Sequence, residues 1–129
     1  MVVLTPDKAA AVIRSGRAPG PMRVHGRLEL AGLPLPHLPA GLSCYELDCT
    51  NSALVDLPQD LSVDSRLVLD GCASLKALPR GLTAGAISLR NCTALTNLPE
   101  GIRTWFLDLT GCERFTEWPS EGTVRSRRR

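Results

Sequence analysis

Residues 87–99 read I-S-L-R-N-C-T-A-L-T-N-L-P, and the same pattern occurs before and after them at a spacing of 20 residues. The preceding copy occupies residues 67–79 and the following copy residues 107–119. All three fit the template L-x-L-x-x-C-x-x-L-x-x-L-P, in which Ile, Phe or Trp replaces individual leucines. Self-similarity at a fixed period of about 20–50 residues is the signature of a repeat architecture, so this pattern decides the fold.

Two looser copies precede these three. One opens with Leu28-Glu29-Leu30 and ends at Pro39, and the other opens with Tyr45-Glu46-Leu47 and ends at Pro58. We therefore divide the chain into an N-terminal segment of residues 1–25, five repeats in residues 26–120, and a tail of residues 121–129.

Each repeat predicts one short β-strand. In L-x-L, the alternation of a strand sends both leucines to one face, and a single 20-residue coil cannot bury that face alone. Stacked coils would place the strands side by side in a parallel sheet, about 4.8 Å apart. The proline in each return segment disfavours an α-helix there, so we expect extended, polyproline-like or short 3₁₀ structure.

The five copies resemble the leucine-rich repeat family over about three quarters of the chain. The short period and the Leu-Pro ending are similar to the bacterial subclass found in secreted effectors. The cysteines at 72, 92 and 112 are similar to the cysteine variant of plant resistance receptors, whereas most members of the family carry Asn at that position. The resemblance implies a curved, right-handed solenoid with short parallel strands on its concave face, and a role in protein recognition.

The two ends of the chain differ from the repeats. Thr5-Pro6-Asp7 combines an N-cap, a proline at the first helical position and an acid in the first turn, and Gly16 can end the helix that follows. We expect this helix to cap the first coil, because solenoids need their ends covered; an amphipathic binding helix is the alternative. Residues 121–129 hold four arginines in the last five positions, which predicts a disordered basic tail.

Composition and charge narrow the class of protein. The chain has 129 residues, 43% of them hydrophobic, with 15 basic and 13 acidic residues and a net charge of +2. Without the four arginines of the tail the balance is 11 basic to 13 acidic, which disfavours a basic DNA-binding face. No apolar window is long enough to span a membrane, and the N-terminus lacks the basic region of a signal peptide. We therefore expect a cytoplasmic protein, or one secreted without an N-terminal signal peptide.

The five cysteines indicate packing rather than chemistry. Cys72, Cys92 and Cys112 would form a column of buried thiols, because cysteines one coil apart lie along a line and not at the corners of a tetrahedral zinc site. We place Cys44 on the exposed sheet face, and a disulfide between Cys44 and Cys49 is an open alternative. No nucleophile or phosphate-binding motif occurs, so we predict a protein with no metal, no cofactor and no enzymatic activity.

The predicted partner-binding surface is the concave sheet face. It consists of the residues that flank or separate the inward leucines, with Glu46 beside Glu29 in the middle column and with Val68 and Phe106 as apolar anchors. These residues are Arg27, Glu29, Glu46, Asp48, Arg66, Val68, Asp70, Ser88, Arg90, Phe106 and Asp108. Since acids outnumber arginines on this face, electrostatic steering would favour a basic partner segment.

The leading functional hypothesis is a non-catalytic protein–protein interaction module. One alternative is a protein that binds nucleic acid or an anionic surface through the arginine tail, although nucleic acid is disfavoured by the charge balance. Another is the recognition part of a bacterial effector or ligase system. The large aromatic residues concentrate in the last repeat, where an exposed strand edge could also support a homodimer.

Overall fold

The computed structural model describes residues 1–129, which form one parallel sheet and one helix. No helix in it has both the length and the apolar character that a membrane span requires. The elements in chain order are β1 (Val2–Leu4), α1 (Pro6–Arg14), β2 (Met22–Glu29), β3 (Leu42–Asp48), β4 (Ser62–Val63), β5 (Arg66–Val68), β6 (Thr83–Ser88), β7 (Ile102–Asp108) and β8 (Gly122–Arg128).

The strands stack in chain order as a β-solenoid of about six turns. All pairings are parallel, and β4 and β5 together form one level, because β4 pairs with the first half of β3 and β5 with its second half. Residues that are 20 apart in the sequence lie beside each other in adjacent strands: Arg66 lies beside Ala86, and Ala86 lies beside Phe106. The predicted stacking of incomplete coils into a parallel sheet is confirmed.

The core is a continuous column of inward side chains. Leu69, Leu89 and Leu109 are fully buried, and 32 buried residues form one hydrophobic cluster along the solenoid. The backbone ladder continues past the strands, since each of these leucine N–H groups donates to a carbonyl in the next coil at 2.7–2.8 Å. Burial and hydrogen bonding therefore fix the coils in one register.

The second looser repeat has a different phase from the predicted one. Its inward pair is Leu47 and Cys49, both fully buried, while Tyr45 is 52% exposed. The thiol packs as a small hydrophobe, whereas a buried tyrosine would need a partner for its hydroxyl group. Consequently Cys44, which we had placed on the exposed face, points inward and is buried.

Most strands extend further towards the N-terminus than the L-x-L motif indicates. In β7 the extension adds a second inward pair, Ile102 and Thr104, and then two exposed residues before Leu107. The motif did not reveal this extension because small or polar residues, such as Ala84 and Thr104, take several of its inward positions. The sheet face is therefore wider than the sequence predicted.

A column of left-handed residues turns the chain after each strand. Gly71 and Gly111 have φ of 72° and 81°, and Asn91 between them has φ of 59°. Glycine adopts this region without a steric penalty, and asparagine is among the few other residues that tolerate it. Gly71 and Asn91 keep their N–H groups in the ladder, with Gly71 donating to the Arg90 carbonyl at 2.7 Å and Asn91 to the Thr110 carbonyl at 2.8 Å.

The return segments are turns and extended chain, without any 3₁₀ or α-helix. Leu75 donates its N–H to the Cys72 carbonyl and Leu82 to the Pro79 carbonyl, so single turns replace the short helices. The short 3₁₀ helix that we allowed as an alternative is therefore not formed.

The N-terminal segment forms a coil of its own. Thr5 caps α1 and accepts a hydrogen bond from the Lys8 N–H, and Pro6 is the first helical residue. The sequence did not indicate β1, which pairs with β2 in the same 20-residue register, Val2 beside Met22. Since β2 already begins at Met22, the sheet starts before the predicted boundary at residue 26.

The prediction of a disordered tail in residues 121–129 is wrong. Residues Gly122–Arg128 form β8, which pairs with β7 in continuous register, so that Arg127 lies beside Leu107. Arginine can take a leucine position here because its long stem packs on apolar surface while its charge stays near water. The run of arginines in the tail led us to predict disorder where the chain forms a further strand of the repeat.

Candidate functional site

We define the solvent face as the side chains of β2 to β8 that point away from the core. Two columns carry most of the residues predicted to bind a partner. One column contains Arg27, Glu46, Arg66, Ala86 and Phe106, and the other contains Glu29, Asp48, Val68, Ser88 and Asp108. Glu46 therefore belongs beside Arg27, and Asp48 takes the middle position that we had assigned to Glu46.

The end of this face at β2 and β3 is an ion cluster, which we call the acidic half. Arg27 contacts three carboxylates, with Nε 2.7 Å from Glu29, Nη1 3.1 Å from Glu46 and Nη2 2.9 Å from Asp48. One positive charge is thus shared by three negative ones. The acidic half keeps a net negative charge, and the Glu29 side chain remains 61% exposed.

Three aspartates of the face are bound by donors of the chain itself. Asp48 accepts hydrogen bonds from the N–H and the hydroxyl group of Thr50, and Asp108 accepts the same pair from Thr110. Asp70 accepts from the Ser88 hydroxyl group and the Arg90 N–H, and so joins two coils. These carboxylates stabilise the turn at the end of each strand, which leaves less of their charge for a partner.

The same contacts lower the pKa values of two of these carboxyl groups, those of Asp48 and Asp108. Burial by itself would raise the pKa of Asp48, but hydrogen bonds from Thr50 and Arg27 outweigh it and hold the pKa below its ordinary value of 3.8. Burial likewise opposes the Thr110 hydrogen bonds at Asp108, and the pKa of Asp108 is again lowered. Both groups therefore bind protons more weakly in the folded state than in the unfolded chain.

We expect the free energy of unfolding to fall as the pH drops below about 5. A lowered folded-state pKa adds stability that is complete above the unfolded pKa and is lost as the pH falls through the folded one. Urea unfolding of the wild type and of Asp48→Asn/Asp108→Asn between pH 7 and pH 2 measures this effect. The variant should show a flatter dependence on pH.

Glu113→Gln is the matched control, because the Glu113 side chain is exposed and makes no hydrogen bond or ion pair. It should keep the pH dependence of the wild type. An Asp48→Asn/Asp108→Asn variant with the same acid slope as the wild type would contradict the role given to the two aspartates.

Two predicted contact residues are not available on the surface. Val68 is 6% exposed and Asp108 is 7% exposed, so the expectation that Val68 is an exposed apolar anchor is wrong. Both lie in a column with neighbouring strands on each side, where adjacent side chains cover a short residue. Arg66, Arg90 and Phe106 do reach solvent.

The other end of the face carries an aromatic pair. Trp105 is 67% exposed and Phe106 is 38% exposed on neighbouring positions of β7. The predicted face included Phe106 but not Trp105, which we had counted only among the aromatic residues of the last repeat, because Trp105 lies in the strand extension outside the L-x-L motif. The signal was available: two large aromatic residues directly before an inward leucine are costly to expose without a purpose.

The arginines of β8 stack on the aromatic rings of the preceding coil. The guanidinium carbon of Arg125 lies 5.0 Å from the centre of the Trp105 ring, and that of Arg127 lies 4.4 Å from Trp118. Arg129 similarly covers Phe115 at 5.0 Å. Because β8 pairs with β7, the C-terminal edge strand of the sheet is β8, rich in arginine, and not the aromatic strand on which the prediction of a homodimer was based.

All five cysteines are free and buried, so the alternative disulfide between Cys44 and Cys49 is absent, and the three predicted column thiols are buried as expected. Cys72, Cys92 and Cys112 each donate to a carbonyl of the preceding coil at 2.8–3.1 Å. Burial raises the pKa of the Cys44 thiol to about 12 and also raises that of Cys49. Cys44 and Cys49 are therefore neutral, whereas the hydrogen bond with Cys92 lowers the pKa of Cys112 to about 7. The S–H donors of the column join one coil to the next.

Comparison of the chain with protein-family models, with curated proteins and with solved structures gives no match.

Proposed function

We propose that the chain is a non-catalytic protein-interaction module of the leucine-rich repeat type, and that it binds a partner protein through the solvent face of its sheet. The observation that carries this proposal is the exposed pair Trp105 and Phe106 on a hydrogen-bonded sheet. Aromatic residues are enriched where protein interfaces bury most of their energy, and they are seldom placed side by side in water without a partner.

The rigidity of the sheet favours a binding role. The ladder joins each coil to the next through the strands and through the turn after them, as in the bonds from Leu89 to the Asp108 carbonyl and from Asn91 to the Thr110 carbonyl. A surface held in this way loses little conformational entropy when a partner docks, so more of the contact energy appears as affinity.

The leucine-rich repeat assignment is supported by three recurring positions: the inward pair of each strand, the left-handed turn residue after it, and the buried ladder residue that follows. We also propose that α1 is the N-terminal cap. It packs on β2 and buries Ala9 and Ile13 at the end of the core, where a further coil would otherwise be needed.

The two ends of the face have different charge, and each suggests its own partner chemistry. The acidic half shares one arginine among three carboxylates, so a basic partner segment remains the prediction there. The aromatic end instead carries the arginines of β8.

The test is capture of partner proteins from a nuclease-treated lysate of the source cells, quantified by mass spectrometry. We expect the wild type to retain at least one protein that Trp105→Ala/Phe106→Ala loses by about tenfold or more, because interface aromatics commonly contribute more than 1.4 kcal/mol. Nuclease treatment separates this proposal from binding of nucleic acid by the arginines of β8.

Arg114→Ala is the matched control, since Arg114 is exposed in a return segment away from the sheet. It should retain the same proteins as the wild type. If the aromatic double variant, folded by circular dichroism, captures the same proteins in the same amounts as the wild type, the sheet face is not the binding surface.

A further inference from the structure

A groove of about 420 Å³ lies on the solvent face over β6 and β7. It exists because β6 has small side chains at this point: Gly85 occupies the position that Ser65 and Trp105 hold in the adjacent coils. Its lining includes Asp64, Thr83, Arg103, Trp105, Thr123 and Arg125.

The groove is positively charged. Arg103 and Arg125 are both exposed, and neither makes an ion pair or a side-chain hydrogen bond. The one carboxylate in the lining, Asp64, is already paired with Arg23 at 2.7 Å. Two guanidinium groups are therefore left without a counter-charge beside an exposed indole ring.

Arg125 is held ready for a ligand. Its guanidinium group stacks on the Trp105 ring, with 5.0 Å between the guanidinium carbon and the ring centre. This distance is within cation–π range, and the five N–H donors of Arg125 make no hydrogen bond in the chain, so they are free for a carboxylate. Less side-chain entropy is then lost on binding than for a mobile arginine.

We infer that this groove binds a short acidic segment of a partner protein, with carboxylates on Arg103 and Arg125 and an apolar side chain against Trp105. The inference rests on the proposed function and gives it a partner chemistry. Arg125 lies one strand over from Arg103 and two residues further along, about 8 Å away by Cα positions. Acidic residues at i and i+2 of an extended peptide are about 6.6 Å apart, and the long side chains of the two arginines span the remaining difference of about 1–2 Å.

A protein segment fits better than a polynucleotide. The groove is short, and the same face carries the acidic half at its other end, where Glu29 and Glu46 would repel a phosphate backbone. Proteins that bind single-stranded nucleic acid have positive grooves that follow the backbone, with several aromatic residues on which successive bases stack. This groove has one aromatic residue, Trp105, in its lining.

The experiment is panning of a displayed library of random 12-residue peptides on the whole chain at about 0.15 M salt. We expect enrichment of peptides with two acidic residues near an aromatic or aliphatic one. The strongest of them, synthesised with a fluorescein label, should bind Arg103→Ala/Arg125→Ala about tenfold or more weakly, because each charge-assisted hydrogen bond to a carboxylate is lost. Arg114→Ala, the exposed control, should bind it like the wild type.

The remaining outcomes separate this inference from the proposed function. Two outcomes overturn the acidic ligand and leave the sheet-face proposal intact. In the first, the enriched peptides are neutral or basic but still need Trp105 and Phe106. In the second, the enriched peptides bind Arg103→Ala/Arg125→Ala as tightly as the wild type. A library that gives no binder overturns the inference, while the capture experiment still tests the sheet face. A labelled oligothymidine that binds more tightly than the best peptide in the same salt overturns it in favour of nucleic acid.

Discussion

Leu89→Ala is expected to lower the free energy of unfolding by about 2–5 kcal/mol. Leu89 is fully buried in the middle of the solenoid, with Leu69 and Leu109 in the same column of the coils on either side. Truncation removes apolar contacts and leaves a cavity that stacked coils cannot easily close, because each coil is fixed to its neighbours by the ladder. Urea unfolding followed by circular dichroism measures the change.

The control is Leu35→Ala, which makes the same chemical change at a site that is only half-buried. It should cost clearly less than Leu89→Ala, since less apolar surface leaves contact with its neighbours. Equal losses at the two positions would mean that the stacked leucines are not what holds the coils together.

The part of the fold that could be predicted from the sequence is the part in which leucines occupy the inward positions. Inward leucines at a fixed spacing define the strand, the direction of its side chains and the parallel stacking, because exposing them would be costly in every coil. Cys49 shows the limit: a small thiol replaces leucine without matching the template, so the phase of that coil was assigned from Tyr45 instead. The leucine pattern therefore predicts the wrong phase where another residue type takes over the packing role of a leucine.

The missed features share a second cause. β8 and the strand extensions are held mainly by backbone hydrogen bonds and by stacking of arginine on aromatic rings, neither of which leaves an apolar period in the sequence. Arg127 beside Leu107 is the clearest case, since a charged residue at a core position is normally excluded and is tolerated here at the open end of the solenoid.

The sequence predicted which residues lie on the solvent face, but not which of them are engaged in hydrogen bonds or ion pairs. Alternation within L-x-L is enough to place Arg27, Glu29 and Phe106 on one face. It cannot show that Asp48 and Asp108 are engaged by the threonines two residues later, because that depends on the turn geometry after the strand. The sequence also could not show that Arg103 and Arg125 at the aromatic end make no ion pair, whereas the one arginine of the acidic half contacts three carboxylates.

Gly71→Ala is expected to lower the free energy of unfolding by about 2–4 kcal/mol, through two separate effects. Gly71 has φ of 72°, a conformation that costs an L-residue about 1–2 kcal/mol. An added Cβ would also lie 2.0 Å from Asn51 Oδ1 in the preceding coil, so that side chain would have to move. Urea unfolding measures the sum of the two.

Gly32→Ala separates the effects, because Gly32 has φ of 71° and nothing within 4 Å of its added Cβ. It should show the backbone cost alone, and Gly71→Ala should exceed it by about 1 kcal/mol or more. Adding Asn51→Gly to Gly71→Ala removes the obstructing amide while keeping a residue suited to the φ of 55° at position 51. The double variant should recover the difference between the two alanine variants; if it does not, the turn residues of adjacent coils do not contact each other as the structure shows.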